Sequence, residues 1–315
     1  MNELKVCFVG TGSIGSRHIR NLSAICKTKN IKLQIDILRS TSRPLQTDVA
    51  LIVSNIYTTL TDINCCYDLI FITNPTHLHY ETIQMLKNHA SYFFVEKPVF
   101  NTINKSIKSL ELPADNEYYV ACPLRYTNIL QKAKSFVQSN SPISVRVVSS
   151  SYLPDWRPDI DYRNTYSAHR HQGGGVSIDL IHEWDYLIWL FGLPVNVKSF
   201  CGKFSDLEID SDDLAVYIAQ YKNFLVEVHL DYFGRIPERK LEIYTSEGLY
   251  VFDIINNNVL KNGIVIYEMS EISNDKYMKE MEYFLSVYEK KSVNSNNLSM
   301  AIQTLEFAAC ETVRE

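Results

Sequence analysis

The stretch Val9-Gly10-Thr11-Gly12-Ser13-Ile14-Gly15 follows directly on an apolar run that begins at Leu4. The run is rich in β-branched and aromatic side chains, which predicts a buried strand. The first glycine suits a tight turn, the second leaves room for a phosphate group, and the third lets the next helix pack closely against the strand. That helix, predicted over about 14–26, would offer unpaired N–H groups and its positive dipole end to an anion. The stretch therefore predicts a strand, turn and helix that bind a dinucleotide pyrophosphate.

A second motif, Glu96-Lys97-Pro98, follows the later apolar run Tyr92 to Val95. If both runs are parallel strands of one sheet, the turns after them lie at the same edge, where ligands of such sheets bind. The lysine is then expected at the mouth of the dinucleotide cleft. Together the two motifs suggest hydride chemistry.

Composition narrows the class of partner. The chain has 315 residues and a formal net charge of −5, with no dense run of Lys or Arg. Nucleic acid is not expected as a general partner, because binding to its phosphates needs a concentrated basic surface. No apolar run is long enough to span a membrane, and the chain starts without a signal-peptide pattern. We expect a cytoplasmic protein.

The cysteines do not suggest metal binding. The seven are scattered and show no CxxC or other ligand-like spacing, so we expect reduced thiols and no metal site. The adjacent pair Cys65-Cys66 is most simply interpreted as part of a loop or helix end before a buried strand.

The pattern of elements predicts an α/β protein in two domains. Residues 1–122 alternate strands with helices, as in a Rossmann domain built on a parallel sheet with helices on both faces. Residues 123–315 are expected to form an α+β domain with a large open, mainly antiparallel sheet. The predicted strands are 5–9, 33–38, 69–73, 92–95, 118–121, 145–151, 195–201, 214–221, 225–232, 240–245, 250–254 and 264–267. The other predicted helices are 78–88, 103–110, 127–138, 176–191, 275–290 and 298–314.

The end of the second strand predicts the type of cofactor. An acid at that place binds the ribose hydroxyl of NAD, but here Asp36 falls inside the strand and Arg39 stands at its end. Ser40 and Arg43 provide further donors for a 2′-phosphate. We therefore expect a preference for NADP(H), with NAD(H) as the alternative.

Four ordered motifs resemble the glucose-fructose oxidoreductase, inositol dehydrogenase and rhizopine-catabolism family, written Gfo/Idh/MocA. The first two are the glycine stretch and Glu96-Lys97-Pro98. The third is the segment Thr73-Asn74-Pro75-Thr76-His77-Leu78-His79. The fourth combines Pro123-Leu124-Arg125-Tyr126 with Gly173-Gly174-Gly175, which leads into Asp179 and His182. The resemblance covers nearly the whole chain.

This resemblance implies the functional residues. Lys97 would meet the nicotinamide and substrate, and Asp179 and His182 would complete the catalytic site. Thr73, Asn74, Pro75, His77, His79, Glu96, Lys97 and Arg125 would line the cofactor site. The sequence departs from the commoner family pattern, because three steps rather than four separate Asp179 from His182. Residues at both spacings share a helix face, so both side chains could still point into one cavity. The alternative is that His182 and Asp185 are packing residues of an amphipathic helix.

Oxidation of a secondary alcohol needs a base for the hydroxyl proton while hydride leaves the carbon. We assign the proton transfer to His182, because imidazole titrates near neutral pH. Lys97 would stabilise the developing alkoxide, and Asp179 would bind another substrate hydroxyl or orient these cations.

The polar loop after the strand 145–151 suggests a sugar substrate. It contains flat aromatic side chains and cations at Trp156, Arg157, Tyr162 and Arg163, and Arg235 follows a later strand. This mixture suits a sugar ring with an anionic group, and the loop resembles that of family members associated with surface-polysaccharide sugars. A nucleotide-linked or acidic sugar is therefore expected. The alternative is that these arginines form only surface or intersubunit ion pairs.

Two other functions remain open. One is a reductase of a non-sugar imine or enone, for which His182 would be dispensable. The other is a non-catalytic regulator that senses NADP(H). The resemblance also implies a homo-oligomer, a dimer or a tetramer.

Overall fold

Six parallel strands form the sheet that carries the glycine-rich turn. The computed structural model describes residues 3–40, 43–63 and 66–309. The strands of the first sheet are β1 (Glu3–Val9), β2 (Lys32–Leu38), β3 (Val53–Tyr57), β4 (Leu69–Ile72), β5 (Tyr92–Val95) and β6 (Glu117–Val120), and the helices between them are α1 (Ser13–Thr28), α2 (Thr47–Ala50) and α3 (His79–Leu86). Their spatial order is β3-β2-β1-β4-β5-β6, the order of dinucleotide-binding folds. The predicted Rossmann domain is confirmed.

Aromatic rings fill one side of this sheet. Phe8 stacks on Phe71 with ring centroids 4.4 Å apart, and Phe71 stacks on Phe94 at 5.1 Å. Phe284, from the C-terminal part of the chain, meets Phe71 and Phe94 edge-on at 5.6 and 5.3 Å. All four rings are almost fully buried. The sheet is therefore covered by a segment distant in sequence.

The chain divides into two compact units, and this division differs from the predicted one. The first contains Met1–Ala121 with Tyr277–Ile302, and the second contains Cys122–Lys276 with Gln303–Glu315. The last helices are α7 (Asp275–Tyr288) and α8 (Leu298–Ala308). Most of α7 joins the first unit because Phe284 completes its aromatic core and because the Val120 N–H donates to Asn296 O at 2.8 Å. Sequence patterns do not encode such long-range contacts. The predicted continuation of the last helix beyond 309 lies outside the described residues.

An eight-stranded sheet forms the second unit. Its elements in chain order are α4 (Asn128–Ser139), β7 (Ser144–Tyr152), α5 (Val176–Asp179), α6 (His182–Phe191), β8 (Asn196–Gly202), β9 (Leu214–Gln220), β10 (Leu225–Asp231), β11 (Phe233–Thr245), β12 (Gly248–Asp253), β13 (Asn258–Lys261) and β14 (Ile264–Glu268). The spatial order is β14-β13-β12-β11-β7-β10-β9-β8. Among the described strand pairs of this sheet, β7–β10 is parallel and the others are antiparallel. The predicted open, mainly antiparallel sheet is confirmed.

Two predicted helices are wrong in detail. The helix predicted over 176–191 is interrupted after Asp179, because Ile181 N–H donates to Ile178 and Glu183 N–H to Leu180, three rather than four residues back. The helix predicted over 103–110 is only a single turn, Lys108–Leu110. That segment is rich in β-branched, Asn and Ser residues, which are weak helix formers.

Two strands were missed. β3 is largely exposed, so its sequence lacks the alternation of apolar and polar residues that predicts a strand. β13 has only four residues.

Two general expectations concern the cysteines and membrane-spanning helices. Cys7, Cys26, Cys66, Cys122 and Cys201 are thiols, while Cys65 and Cys310 lie outside the described residues. Within the described ranges, no helix combines the length and apolar character needed to cross a bilayer.

Candidate active site

The register of the parallel sheet brings the predicted motifs to one edge. Val9 pairs with Ile72, and Ile72 pairs with Val95, so the residues that follow each strand stand side by side. The Thr73 N–H donates to Val9 O at 2.9 Å, and the Glu96 N–H donates to Ile72 O at 2.9 Å. Neighbouring strands are about 4.8 Å apart. Lys97 therefore lies about two strand spacings from the glycine turn.

The three glycines of the turn differ in what surrounds them. Gly10 has φ +88°, and a Cβ there would lie 2.8 Å from Asn74 Cα. A Cβ on Gly15 would lie 2.5 Å from Gly10 O, so this position needs glycine for close packing. A Cβ on Gly12 would meet nothing within 4 Å. Gly12 thus borders open space directly before the first N–H groups of α1, and Ser13 beside it is exposed.

The segment after β4 holds the turn in place. Thr73 Oγ1 donates to Gly10 O at 2.8 Å. His79 is fully buried, with Nε2 3.0 Å from Asn74 O and Nδ1 3.1 Å from both Pro98 O and Val99 O. Burial lowers the pKa of His79, although the carbonyl contacts act in the opposite direction. His79 is therefore a structural link between two loops, while Pro75 is exposed and His77 is partly exposed.

Glu96 and Lys97 form a rigid pair at the end of β5. His18 Nε2 lies 2.6 Å from Glu96 Oε1, and the Lys97 N–H donates to Glu96 Oε2 at 3.1 Å. Burial alone would raise the pKa of Glu96, but His18 and Lys97 outweigh it and the pKa is lowered. Glu96 is therefore a carboxylate that positions the lysine backbone. His18 was missed from the sequence, and the only signal was its place on the buried face of α1.

The end of β2 has the predicted cationic character. Asp36 is 1% exposed and accepts hydrogen bonds from Asn55 Nδ2 at 2.8 Å and Tyr67 Oη at 3.0 Å, so it faces away from the sheet edge as expected. The Arg39 guanidinium donates to Arg43 O. Ser40 and Arg43 are exposed. Two cations and a hydroxyl thus follow β2.

These residues fit a bound dinucleotide. Gly12 leaves room where a pyrophosphate would approach the N-terminus of α1. Three buried polar atoms along the same edge, Arg39 Nε, Asn74 Oδ1 and His77 Nδ1, lack a hydrogen-bond partner among the described residues. Buried polar atoms are normally satisfied, so a ligand that supplies their partners is the simplest explanation.

In the second unit, the buried carboxylate of Asp179 accepts hydrogen bonds from three hydroxyl groups. It is 3% exposed; Tyr166 Oη donates to Oδ1 at 2.7 Å, and Ser167 Oγ and Tyr232 Oη donate to Oδ2 at 2.7 and 3.1 Å. Burial and the Asp179 charge raise the pKa of Tyr166 and of Tyr232 well above 10, so both phenols remain donors. Asp179 therefore positions these three side chains. Its expected contact with a substrate hydroxyl stays a prediction.

His182 begins α6 and is partly exposed. Because the helix is interrupted between Asp179 and His182, the argument that both share one continuous helix face is wrong. The next residue, Glu183, is fully buried and pairs with Arg239 Nε at 2.7 Å. The charge of Arg239 is therefore balanced by Glu183.

Arg125 forms a buried ion pair with Asp185. Its Nε and Nη2 donate to Asp185 Oδ2 at 2.9 Å and Oδ1 at 2.7 Å, and both residues are buried. This bidentate ion pair ties the start of the second unit to α6. Two Arg125 donors, Nε and Nη2, are thus used within this unit. The expected contact of Arg125 with the cofactor stays a prediction, and Asp185 is an ion-pair partner of Arg125.

The polar loop forms a small pocket lined by three of the predicted substrate-binding residues. Its lining consists of Leu153, Trp156, Arg157, Ile160, Tyr162, Thr165 and Ser167. Trp156 is fixed by a hydrogen bond from Nε1 to Ser151 Oγ at 3.0 Å, and Arg157 lies 5.7 Å from the Tyr166 ring.

The remaining predicted substrate residues have other partners. Arg163 forms ion pairs with Asp161 at 2.8 Å and Glu208 at 3.2 Å, which supports the surface ion-pair alternative for this residue. The Arg235 guanidinium stacks 3.5 Å from the centre of the Tyr152 ring.

The fold and the sheet-edge site define a dinucleotide-binding oxidoreductase with a second, open-sheet domain. The description "Oxidoreductase family, NAD-binding Rossmann fold" matches residues 4–121, and "GFO/IDH/MocA C-terminal domain" matches residues 130–251. The chain belongs to the Gfo/Idh/MocA family, as its motifs predicted.

Individual proteins share the fold at low identity. An uncharacterized oxidoreductase of Bacillus subtilis, YrbE, is 27% identical over 196 residues, which cover 60% of this chain and 54% of YrbE. The chain thus spans about half the length of that curated relative. An oxidoreductase from Thermotoga maritima superimposes with a TM-score of 0.81 at 17% identity, covering 98% of this chain and 95% of its own. The WlbA dehydrogenase of Bordetella pertussis, solved with NADH and UDP-GlcNAcA, gives 0.77 at 15% identity and covers 96% and 94%.

Proposed function

We propose that the protein is an NAD(P)-dependent dehydrogenase that transfers hydride between nicotinamide and a secondary alcohol or ketone of a sugar derivative. The observation that carries this proposal is the sheet edge of the first unit. There the register places Lys97 about two strand spacings from the open Gly12 turn. A lysine held at this edge by a buried carboxylate suits a group that meets substrate.

The chain's own residues prepare the reaction. The backbone at Gly12 and the first N–H groups of α1 hold the pyrophosphate, and the bound nicotinamide supplies the hydride acceptor. Lys97 donates to the substrate oxygen and stabilises the negative charge that develops as its proton leaves. His182 accepts that proton. In the reverse direction His182 returns it to the alkoxide.

Asp179 acts through other residues. Both of its carboxylate oxygens are occupied by hydroxyl donors, and Tyr166 also lies beside the Arg157 guanidinium. Asp179 therefore positions the side chains of the polar loop, and it is a positioning residue for the pocket that contains Trp156 and Tyr162.

We propose NADP(H) as the preferred cofactor. Arg39, Ser40 and Arg43 present two cations and a hydroxyl after β2, and Asp36 is buried where it could not bind a ribose. Replacement of Arg39 by Ala should raise the KM for NADPH about tenfold or more and change that for NADH little, since a charge-assisted hydrogen bond contributes about 1.5–3 kcal/mol. An unchanged ratio of the two KM values in Arg39→Ala would contradict the preference.

The side chains of the polar loop support a sugar-like substrate. Flat rings of Trp156 and Tyr162 suit a sugar face, and Arg157 suits an anionic group such as a carboxylate or a diphosphate. The similarity to a dehydrogenase solved with UDP-GlcNAcA supports the same class. A screen of NADP+ reduction with free polyols, nucleotide-linked sugars and acidic sugars tests it. Activity restricted to uncharged sugars would contradict it.

The central test is Lys97. Lys97→Ala should lower kcat by about 10²–10³, because it removes a donor to the developing charge, while NADPH affinity measured by fluorescence changes little. Lys105→Ala is the matched control, since Lys105 pairs with Glu81 on the surface of the same unit. Full activity in Lys97→Ala would overturn the proposal. Tight NADPH binding without turnover of any alcohol or carbonyl in the wild type would favour the sensor.

We also propose a homo-oligomer formed through the open face of the eight-stranded sheet. Phe200 on β8 and Ile218 on β9 lie on the same face, and they are 66% and 43% exposed. Large apolar side chains on an open sheet favour association. Light scattering should give a dimer or tetramer, and Phe200→Lys should shift it towards the monomer.

A further inference from the structure

Three side chains with metal-binding atoms converge beside the polar loop. His169, His171 and Asp210 each offer one ligand atom, and these atoms lie within 4.8 Å of one another. We name this group the His169 cluster. His169 and His171 are two positions apart, but Asp210 lies about 40 residues further along the chain, so sequence spacing did not predict the cluster. The expectation of no metal site rested on the scattered cysteines.

The backbone orients the carboxylate towards the histidines. The Asp210 N–H donates to Ala168 O at 3.0 Å, and Asp210 Oδ1 accepts the Arg170 N–H at 2.7 Å. The other oxygen, Oδ2, is thereby directed at His169 Nδ1, 3.7 Å away. This separation is longer than a hydrogen bond. The two atoms face each other across a gap.

The gap has the width that a metal ion would need. A zinc ion binds histidine nitrogen and carboxylate oxygen at about 2.0–2.1 Å, so ligands 3.7 Å apart would subtend an angle of about 130° at the ion. A small side-chain adjustment brings this angle to tetrahedral. The His169 and His171 rings, with centroids 5.7 Å apart, leave room for the second imidazole to join.

The donor set indicates which cation fits. Two imidazoles and one carboxylate suit zinc and its neighbours in the transition series, whereas magnesium prefers oxygen ligands alone. The side chains of His169 and Asp210 are 34% and 62% exposed, so a cation can enter and a water molecule can take the fourth position. The neighbouring Arg170 adds a positive charge, which weakens binding without blocking the ligand atoms.

We propose that the His169 cluster is a binding site for a divalent transition-metal ion of the zinc class. The bound ion would join the segment around residue 169 to the loop around residue 210. The same two segments already meet through the hydrogen bond from Ser211 Oγ to Ser167 O at 2.8 Å. This site does not depend on the proposed dehydrogenase activity.

Calorimetric titration with zinc chloride tests the site. The protein is freed of any affinity tag, treated with EDTA and dialysed before the titration. We expect one saturable site per chain, and His171→Ala and Asp210→Asn should each weaken it at least about tenfold. Asp210→Asn keeps an acceptor for the Arg170 N–H, so loss of binding there is not a loss of folding. Magnesium chloride in excess should not compete.

His229→Ala is the matched control. His229 Nε2 lies 3.1 Å from Asp231 Oδ2 and is similarly exposed, but no third ligand atom lies beside this pair among the described residues. Zinc affinity should therefore be unchanged in His229→Ala. Absence of saturable binding, or equal affinity in wild type, His171→Ala and Asp210→Asn, would overturn the proposal. Thermal unfolding of each variant without metal verifies that it is folded.

Discussion

The His18 imidazole and the Glu96 carboxylate are 2.6 Å apart, and this contact joins the helix after the glycine turn to the lysine that follows β5. His18 is fully buried, and Glu96 is 8% exposed. The second oxygen of Glu96 accepts the Lys97 N–H. The position of Lys97 is thus coupled to α1, whose N-terminus we propose to hold the cofactor.

Glu96→Gln should damage catalysis more than cofactor binding. The variant keeps the shape but loses the charge opposite His18, and a buried polar group left poorly paired costs about 1–3 kcal/mol. We expect a lower free energy of unfolding and a fall in kcat with little change in the KM for the cofactor. Urea unfolding and steady-state kinetics measure both. Glu81→Gln, on the surface of the same unit, is the control and should behave as wild type.

Acid should destabilise the protein in two stages. Burial lowers the pKa of His79 below its ordinary value of 6.5. As the pH falls below 6.5, the unfolded state therefore binds a proton at His79 that the native state does not bind, and the free energy of unfolding decreases. Despite its burial, Glu96 has a pKa below its ordinary value of 4.5 because of His18 and Lys97, so its contribution is lost as the pH falls below 4.5.

Urea unfolding at intervals from pH 7.5 to pH 4 measures this dependence. The free energy of unfolding should decrease from about pH 6.5 downwards and more steeply below 4.5. Glu96→Gln should remove part of the second stage and leave the first. A stability that rises between pH 6.5 and pH 5 would contradict the assignment of His79.

Replacement of Gly15 by Ala should affect stability, whereas replacement of Gly12 by Ala should affect cofactor binding. Gly15→Ala places a Cβ 2.5 Å from Gly10 O and 2.7 Å from Thr73 Oγ1, and such overpacking costs about 1–3 kcal/mol. Gly12→Ala meets no atom within 4 Å, so its thermal stability should match wild type. Its Cβ would, however, enter the space proposed for the pyrophosphate. Fluorescence titration should show weaker NADPH binding in Gly12→Ala, and equal affinity would contradict the placement of the cofactor.

Features that are local in sequence could be predicted, and those that depend on distant contacts could not. The strands β1, β4 and β5 are short apolar runs followed by recognisable motifs, so these strands and the edge of the sheet that they share could be predicted. The partners of the motif residues did not follow, because His18 is 78 residues from Glu96. No periodicity links such positions.

The second unit shows the same limit. The apolar pattern over 176–191 is continuous, and nothing in it indicates the interruption after Asp179. The hydroxyl donors to Asp179 come from residues 12, 13 and 53 positions away. The sequence around Gly173–Gly175, Asp179 and His182 led to the prediction of site residues here, but it does not indicate which side chains donate hydrogen bonds to Asp179.

The ion pair of Arg125 and Asp185 should contribute to folding rather than to cofactor binding. Both side chains are buried and doubly hydrogen-bonded, so removal of one partner leaves an uncompensated charge and costs about 3–5 kcal/mol. We expect Arg125→Met to lower the urea midpoint strongly. The double variant Arg125→Met with Asp185→Leu should regain much of the lost midpoint, because it leaves no buried charge unpaired. Arg163→Ala, which breaks an exposed pair, should change stability little. NADPH affinity of the folded double variant decides between the two roles: if it binds as wild type does, Arg125 is structural, and if affinity is lost while stability is recovered, the predicted cofactor contact is the correct one.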